Sequence, residues 1–377
     1  MTNVTQPQLA TVAELLRKRS IDAVLLTSVP NVAYVTGYSP PWEMWPGYNP
    51  YAPDPAVCCV DQDGHAALLV PQLFGPYAEG ATVPVDLVET SSHTRRIAPT
   101  AVSGDAIAAR LGRSVARLGY ESHSLSRALQ HAVSERVEVG EWIDLESDLD
   151  ALRVIKTDTE VTAIRRACEL ADIIQATVKA HAVPGITELE LAARALEASW
   201  VHAGERHAAI FQLASGPVTA TIPSGEPSRK RIEEGDLICT DVAPWFGGYW
   251  SDTCNAVIAG EPTSQQREMF AIVHASLGAG LRSARAGIEA RELDNVCRSV
   301  VNDAGYDYPH HTGHGIGVVH TEVPRITSDS RETLAAGMVI CLEPGIYIDG
   351  VGGFRHEHVL LVTDAEPQLL STYEHTL

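Results

Sequence analysis

At 377 residues the chain is longer than the roughly 250 to 300 residues that one hydrophobic core sustains, so two domains are expected. Acidic side chains outnumber Lys and Arg by 48 to 28, and the formal charge of -20 repels phosphate backbones and anionic lipid heads, which argues against nucleic acid and membrane surfaces as partners. With 45% hydrophobic and 20% charged residues and no low-complexity tract, long disorder is not expected either.

The opening segment MTNVTQPQLATVAELLRKRS lacks a basic stretch followed by an apolar one, and nothing later approaches the roughly 18 consecutive apolar residues of a membrane span, so a cytoplasmic location is expected. An amphipathic run through Leu9, Val12, Leu15 and Leu16 predicts a helix. The apolar stretch Ala23 to Thr27 and the segments AVCCV and AALLV, separated by the turn DQDGH, predict strands. Together they form a small α/β domain. Residues 39–55 hold six prolines and an aromatic group, Trp42, Trp45, Tyr48 and Tyr51, without a regular period. This long loop either packs on its own domain or selects substrate.

Near residue 150 the pattern changes. Thr157 with Glu160 three residues on is a capping-box signature, so a long helix carrying Ile164, Ala167, Leu170, Ala171 and Ile174 should start there. We place the domain boundary just before it, giving domains 1–152 and 153–377. A second helix, ITELELAARALEASWVHAG, follows a Pro-Gly break, and strand-like runs divided by glycine-rich turns dominate from Ile210 onward. The seven cysteines, at 58, 59, 168, 239, 254, 297 and 341, are odd in number and lack CxxC spacing. They read as buried small hydrophobes and indicate neither a disulfide framework nor a zinc ribbon.

Four carboxylates lie where a soluble protein ordinarily avoids them. Asp241 ends an apolar run and Asp252 follows beyond a Gly-Gly turn, a hairpin layout bringing both acids to one end. Glu343 interrupts MVICLEPGIYI, and Glu357 stands just before VLLV. Burying an ionised carboxylate is prohibitive unless it is paired or bound to a cation, and four converging acids would repel one another unless metal ions neutralised them. His314, between two glycines in HHTGHGIG, is a fifth ligand candidate, because glycine permits close backbone approach. Oxygen donors with a single imidazole suit Mn(II), Co(II), Fe(II) or Zn(II). A pair of such ions supports amide hydrolysis by activating water and polarising a carbonyl.

These residues resemble the pita-bread metallopeptidases, which include methionine aminopeptidase, aminopeptidase P, prolidase and the metal-free relative creatinase. GDLICTDVAPWFGGYWSD, TGHGIG, LEPGIYI and GGFRHEHVLLV are similar to the family's ligand-bearing stretches. IDAVLLTSVPNVAYVTGY and LRVIKTDTEVTAIRRA resemble the amino-terminal domain and junction of the aminopeptidase P and prolidase branch. The resemblance implies a creatinase-like α/β amino-terminal domain followed by an α+β pita-bread catalytic domain, and a dinuclear metal-dependent hydrolase of a C–N bond acting as an Xaa-Pro aminopeptidase or dipeptidase. It further implies that Asp241 chelates one metal, that Asp252 and Glu357 bridge both, and that His314 and Glu343 complete the other. Manganese is the leading expectation, with Co, Zn or Fe able to use the same ligands. Glu343 is expected to shuttle a proton, Arg355 to stand near substrate or to pair with a ligand carboxylate, and the protein to be a homodimer in which Trp42 and Trp45 help select a small peptide.

Departures from the family pattern bear on substrate. Ser224 follows Pro223 where the family carries a substrate-contacting histidine. His320 stands six residues after His314 rather than seven, with Thr321 at seven and Glu322 at eight, so either His320 serves through a local bulge or Thr321 takes its place. Ala243 and Asn255 stand where the family often has Gly and Arg. Losing an imidazole near a developing oxyanion commonly costs two or three orders of magnitude in rate. Such losses point to a substrate other than an ordinary Xaa-Pro peptide. His310 and His311 are candidate substitute donors, and His358, where many relatives carry Asp, is expected to support its neighbour Glu357. The alternatives are a creatinase-like hydrolase of a small amidino or cyclic amide compound, a metal-dependent lyase, and a catalytically silent binding module.

Overall fold

The computed structural model describes residues 7–38, 56–88, 99–221 and 225–377. Trp42, Trp45 and Ser224 lie outside the described residues. The chain divides into two compact units, 1–153 and 154–377. Arg153 belongs to the first because its guanidinium is buried against Asn31 and Asp150.

In the first unit the chain runs α1 (Pro7–Arg19), β1 (Ala23–Leu26), α2 (Val29–Thr36), β2 (Val57–Asp61), β3 (Ala66–Pro71), β4 (Val85–Val88), α3 (Pro99–Leu111), β5 (Ser114–Tyr120), α4 (Arg127–Ser134), β6 (Glu138–Asp144) and α5 (Glu146–Leu152). The strands form one mixed sheet ordered β4-β3-β2-β1-β5-β6. The amphipathic run is α1, with Leu9, Val12 and Leu16 buried, and the two segments around DQDGH pair antiparallel as β2 and β3. Ala23, Leu25, Cys59, Leu69 and Leu118 pack against Ile107 of α3 and Leu129 and Val133 of α4. Each such fully buried aliphatic side chain contributes roughly 1.5 to 3 kcal/mol.

The second unit opens with α6 (Asp158–His181), whose capping box is complete: Thr157 Oγ1 accepts from the Glu160 amide at 3.3 Å and Glu160 Oε2 accepts from the Thr157 amide at 3.0 Å. Helix α7 (Glu188–Ala203) has the same device on Thr187 and ends at left-handed Gly204. There follow β7 (Ala208–Ser215), β8 (Leu237–Phe246), β9 (Tyr249–Trp250), β10 (Thr253–Ile258), α8 (Ser264–Ser283), α9 (Ala290–Asp303), β11 (Gly313–Gly315), β12 (Glu322–Ile326), β13 (Val339–Leu342), β14 (Gly345–Ile348), β15 (Gly352–Arg355), β16 (His358–Leu361) and β17 (Gln368–Leu369). One sheet is ordered β10-β8-β7 with β9 on β8, another β12-β11-β13-β16-β17, and β14 pairs with β15. Helices α6 and α7 bury Ile174, Val178, Leu191 and Ala195 against Leu213, Ile238 and Val242 of the first sheet. Leu277 and Leu293, from α8 and α9, pack against Ile340, Leu342 and Leu360 of the second. Among the described residues no helix is long and apolar enough to cross a membrane. The architecture is the expected α/β domain followed by an α+β domain.

Candidate metal centre

Strand breaks, rather than strand interiors, carry three of the four acids. The prediction that Asp241 and Asp252 sit together at the end of a hairpin needs correction. Asp241 is mid-strand in β8 opposite Cys254, and Asp252 lies at the break between β9 and β10, so they meet partway along the hairpin, well before its Gly247-Gly248 turn. Glu343 likewise stands between β13 and β14 instead of within a strand, its amide donating to the Thr312 carbonyl at 2.8 Å. Glu357 stands between β15 and β16, with its amide on the Cys254 carbonyl at 2.9 Å. A break lets a side chain leave the alternating pattern while its backbone stays bonded.

His314 is central in β11, and the flanking glycines do what their positions suggest. A Cβ on Gly313 would sit 1.9 Å from the Cys341 carbonyl oxygen, and one on Gly315 would sit 2.3 Å from that of Val323. Only glycine permits that approach. His314 Nδ1 donates to the Gly315 carbonyl at 2.8 Å, which turns Nε2 toward Asp252 Oδ2 at 3.6 Å and Glu343 Oε1 at 3.8 Å.

Donor atoms of Asp252, His314, Cys341 and Glu357 all lie within 4.8 Å of one another, as do those of His311, His314 and Glu343. Asp241 joins through Arg355, whose Nη2 pairs with its carboxylate while Nε lies 3.8 Å from Glu343 Oε2. Asp241, Asp252, His314, Glu343 and Glu357 are thereby gathered in one place. Arg355 is buried and braces ligand candidates, the second of its two expected roles.

The electrostatics are those of several carboxylates crowded together away from water. Burial, together with the charges of Asp252 and Glu343 and despite Arg355, pushes the Asp241 carboxyl up to about 7. Glu357 is driven well above the usual carboxylate range by burial and then by Asp252, Glu343 and Asp241. Burial also opposes ionisation of Asp252, but hydrogen bonds from His314 and His320 outweigh it and hold the group low. In Glu343 burial is outweighed by the His311 hydrogen bond and the Arg355 charge. Asp252 Oδ1 and Glu357 Oε1 are buried without a hydrogen-bond partner. Orphaned carboxylate oxygens of this kind, in a cluster of hard donors with one imidazole, fit divalent metal ions.

A pH effect follows with a definite sign. The unfolded chain releases the Asp241 proton near 3.8 whereas the folded, metal-free protein keeps it to about 7. This group's contribution to stability is therefore full below about pH 4 and is lost as pH rises through about 7; Glu357 acts in the same sense. A divalent cation replaces the proton. The stabilisation gained on adding metal should accordingly widen between about pH 5.5 and about pH 8, reaching about 2.7 kcal/mol when free metal is about 100-fold above its dissociation constant. Scanning calorimetry with and without chelator measures it, and a pH-independent gain would contradict the scheme.

Of the two ways to fill the second histidine position, the geometry favours His320. The register between β11 and β12 shifts after His314, so that Gly315 faces Glu322. That bulge swings His320 inward, with Nε2 2.9 Å from Asp252 Oδ2 and its ring edge-on to Trp250 at 5.6 Å, while Thr321 is exposed. Glu322 anchors the loop: its Oε1 accepts from the Val319 amide at 3.1 Å and its Oε2 from Lys156 Nζ at 2.8 Å. His310 is held through both ring nitrogens, Nδ1 on the His311 carbonyl at 2.7 Å and Nε2 on the Tyr347 hydroxyl at 2.9 Å. His311 does reach the site, 2.8 Å from Glu343 Oε1. His358 Nδ1 is held by Ser371 Oγ at 2.9 Å.

Sequence reasoning missed three participants. Tyr347 ties His310 to Arg355 by accepting from Arg355 Nη1 at 3.1 Å. Lys156 supports the His320 loop from a segment distant in sequence. Cys341, read as core filling, has its sulfur among the ligand candidates; its position two residues before Glu343 was the available signal.

Comparison with known proteins agrees with this geometry. The profile of metallopeptidase family M24 matches residues 162–364, and that of the creatinase/prolidase N-terminal domain matches residues 8–155. The chain is 31% identical over 369 residues to the Xaa-Pro dipeptidase of Pyrococcus horikoshii, covering 97% of each, and 32% identical over 373 residues to that of Pyrococcus furiosus, covering 98% of this chain and 99% of the relative. The crystal structure of the Pyrococcus horikoshii OT3 prolidase superposes with a TM-score of 0.84 at 30% identity, covering 99% of this chain and 100% of that one.

Proposed function

The chain belongs to metallopeptidase family M24 and is a metallohydrolase; from that premise we propose that it is a dinuclear enzyme that cleaves the bond before proline in a small Xaa-Pro peptide. The observation that carries this is the burial of Asp252, Glu343, Glu357 and His314 in one cluster, with Asp241 half-buried beside them and two carboxylate oxygens unpartnered. Asp241 would hold one ion, Asp252 and Glu357 both, and His314 and Glu343 the other. Oxygen donors with one imidazole suit Mn(II), with Co(II), Fe(II) and Zn(II) able to use the same set. When bound, the metals supply Lewis-acid activation of water and of the substrate carbonyl.

The protein's own groups do the rest. Glu343, kept ionised by His311 and Arg355, takes the proton of the attacking water through a carboxylate oxygen and delivers it to the leaving nitrogen. His320 steadies the charge that develops on the carbonyl oxygen, the part that a buried imidazole donor plays in acyl transfer. Arg355, clamped by Asp241 and Tyr347, holds the ligand carboxylates in place. A homodimeric, cytoplasmic enzyme, with the Trp42 and Trp45 loop contributing to substrate choice, goes with the same assignment.

A second reading has one observation in its favour: Ser224 stands where the family carries a substrate-contacting histidine. It assigns the same metal chemistry to a small cyclic amide or amidino compound. Metal content by elemental analysis, followed by turnover of the reconstituted enzyme on Xaa-Pro dipeptides, longer Xaa-Pro peptides and small amides, decides. Turnover that requires both metal and a second-position proline is expected. Turnover of small amides alone would install the second reading, and a protein that binds no metal and cleaves nothing would remove both.

A further inference from the structure

Cys341 is one of seven free, buried cysteines, and the only one of them in a cluster of candidate metal-ligating groups among the described residues. It lies in β13, which ends just before Glu343, and its sulfur reaches the same cluster of candidate ligands. Its Sγ and one donor atom each of Asp252, His314 and Glu357 are all within 4.8 Å of one another, and all four residues are buried. Packing explains one side of this residue: Cys341 contributes to a core with Ile164, Ile316, Val339 and Val359. It does not explain the other side, where the sulfur faces an imidazole and two carboxylates, each of which keeps a buried oxygen without a partner. A core filler needs no polarisable atom there.

We propose that Cys341 is a ligand of the metal centre, adding a sulfur beside Asp252, His314 and Glu357. The inference rests on the metal-site function proposed above and adds a residue outside the five expected ligands. On ligation the S–H bond gives its proton to solvent and a metal–sulfur bond forms, with no change of oxidation state. Sulfur favours borderline-soft ions, so the thiolate would widen the preference for Co(II), Fe(II) and Zn(II) over Mn(II).

Titration of the full-length, metal-stripped protein with cobalt(II) chloride under anaerobic conditions tests this. Visible ligand-field bands report cobalt uptake, and a near-ultraviolet sulfur-to-cobalt charge-transfer band reports the thiolate. Both are expected in the native protein. Cys341→Ser should keep the ligand-field bands, lose the charge-transfer band and weaken cobalt relative to manganese by about tenfold or more. Cys254→Ser should keep both bands. Should Cys341→Ser fail to fold, X-ray absorption of the native zinc form reads the same bond as a sulfur scatterer at about 2.3 Å. Cobalt uptake without a charge-transfer band, a band that survives in Cys341→Ser, or a zinc shell without sulfur each overturns the inference and leaves the five-ligand site standing. Failure to take up cobalt at all overturns the metal-site assignment itself, and the inference with it.

Discussion

Replacing Asp252 by Asn should lower metal-dependent turnover by about three to four orders of magnitude, equivalent to about 4 to 5.5 kcal/mol of lost transition-state stabilisation. The substitution keeps the shape of the side chain and removes the charge. Asp252 meets two imidazoles: one oxygen faces His314 at 3.6 Å and His320 at 2.9 Å, and the other is buried without a partner. An amide cannot offer two anionic oxygens to two cations. Metal content should therefore fall together with rate, while the far-ultraviolet circular dichroism stays that of the native fold. A variant that retains both its metal and its turnover would remove Asp252 from the mechanism, and with it the dinuclear assignment.

The largest stability effect is expected at Lys156→Met, a residue that touches no ligand candidate. The side chains of Lys156 and Glu322 are 1% and 5% exposed and 2.8 Å apart, so the ion pair is withdrawn from water. Breaking such a pair from one side strands the other charge, at about 3 to 5 kcal/mol. Replacing both partners by apolar residues of similar size should recover much of that loss, since the pair itself stabilises little once its desolvation is counted. Urea unfolding of the single and double variants measures the difference. Glu322 also anchors the loop that carries His320, so the single variant should lower kcat more than it raises KM. A loss below about 1 kcal/mol would mean that the pair is solvated in solution.

Both expectations depend on features that differ in how far the sequence reveals them. Asp241, Asp252, Glu343 and Glu357 were legible because each is a charge set in an apolar run, a local conflict with one general remedy. The glycines around His314 and the capping box at Thr157 belong to the same class. Each follows from neighbours within a few positions, and each is found where the pattern puts it.

Partners distant in sequence were not legible. Nothing local says that Lys156 meets Glu322, that Tyr347 stands between His310 and Arg355, or that His311 rather than His310 reaches Glu343. His320 illustrates the limit best, because counting residues from His314 left His320 and Thr321 both open, and only the bulge between β11 and β12 shows His320 turned toward Asp252. A one-residue change of register turns a side chain to the opposite face, and register depends on the whole sheet.

The chain's order of charged and apolar residues by itself determined two domains, the helix starts and the identity of the acids that need a cation. Tertiary structure alone decided which atoms face one another, and so which histidine meets Asp252, which lysine pairs with Glu322 and which cysteine lies among the acids. Burial cost is a property of a single residue and its immediate neighbours, whereas convergence is a property of strands brought together from across the chain.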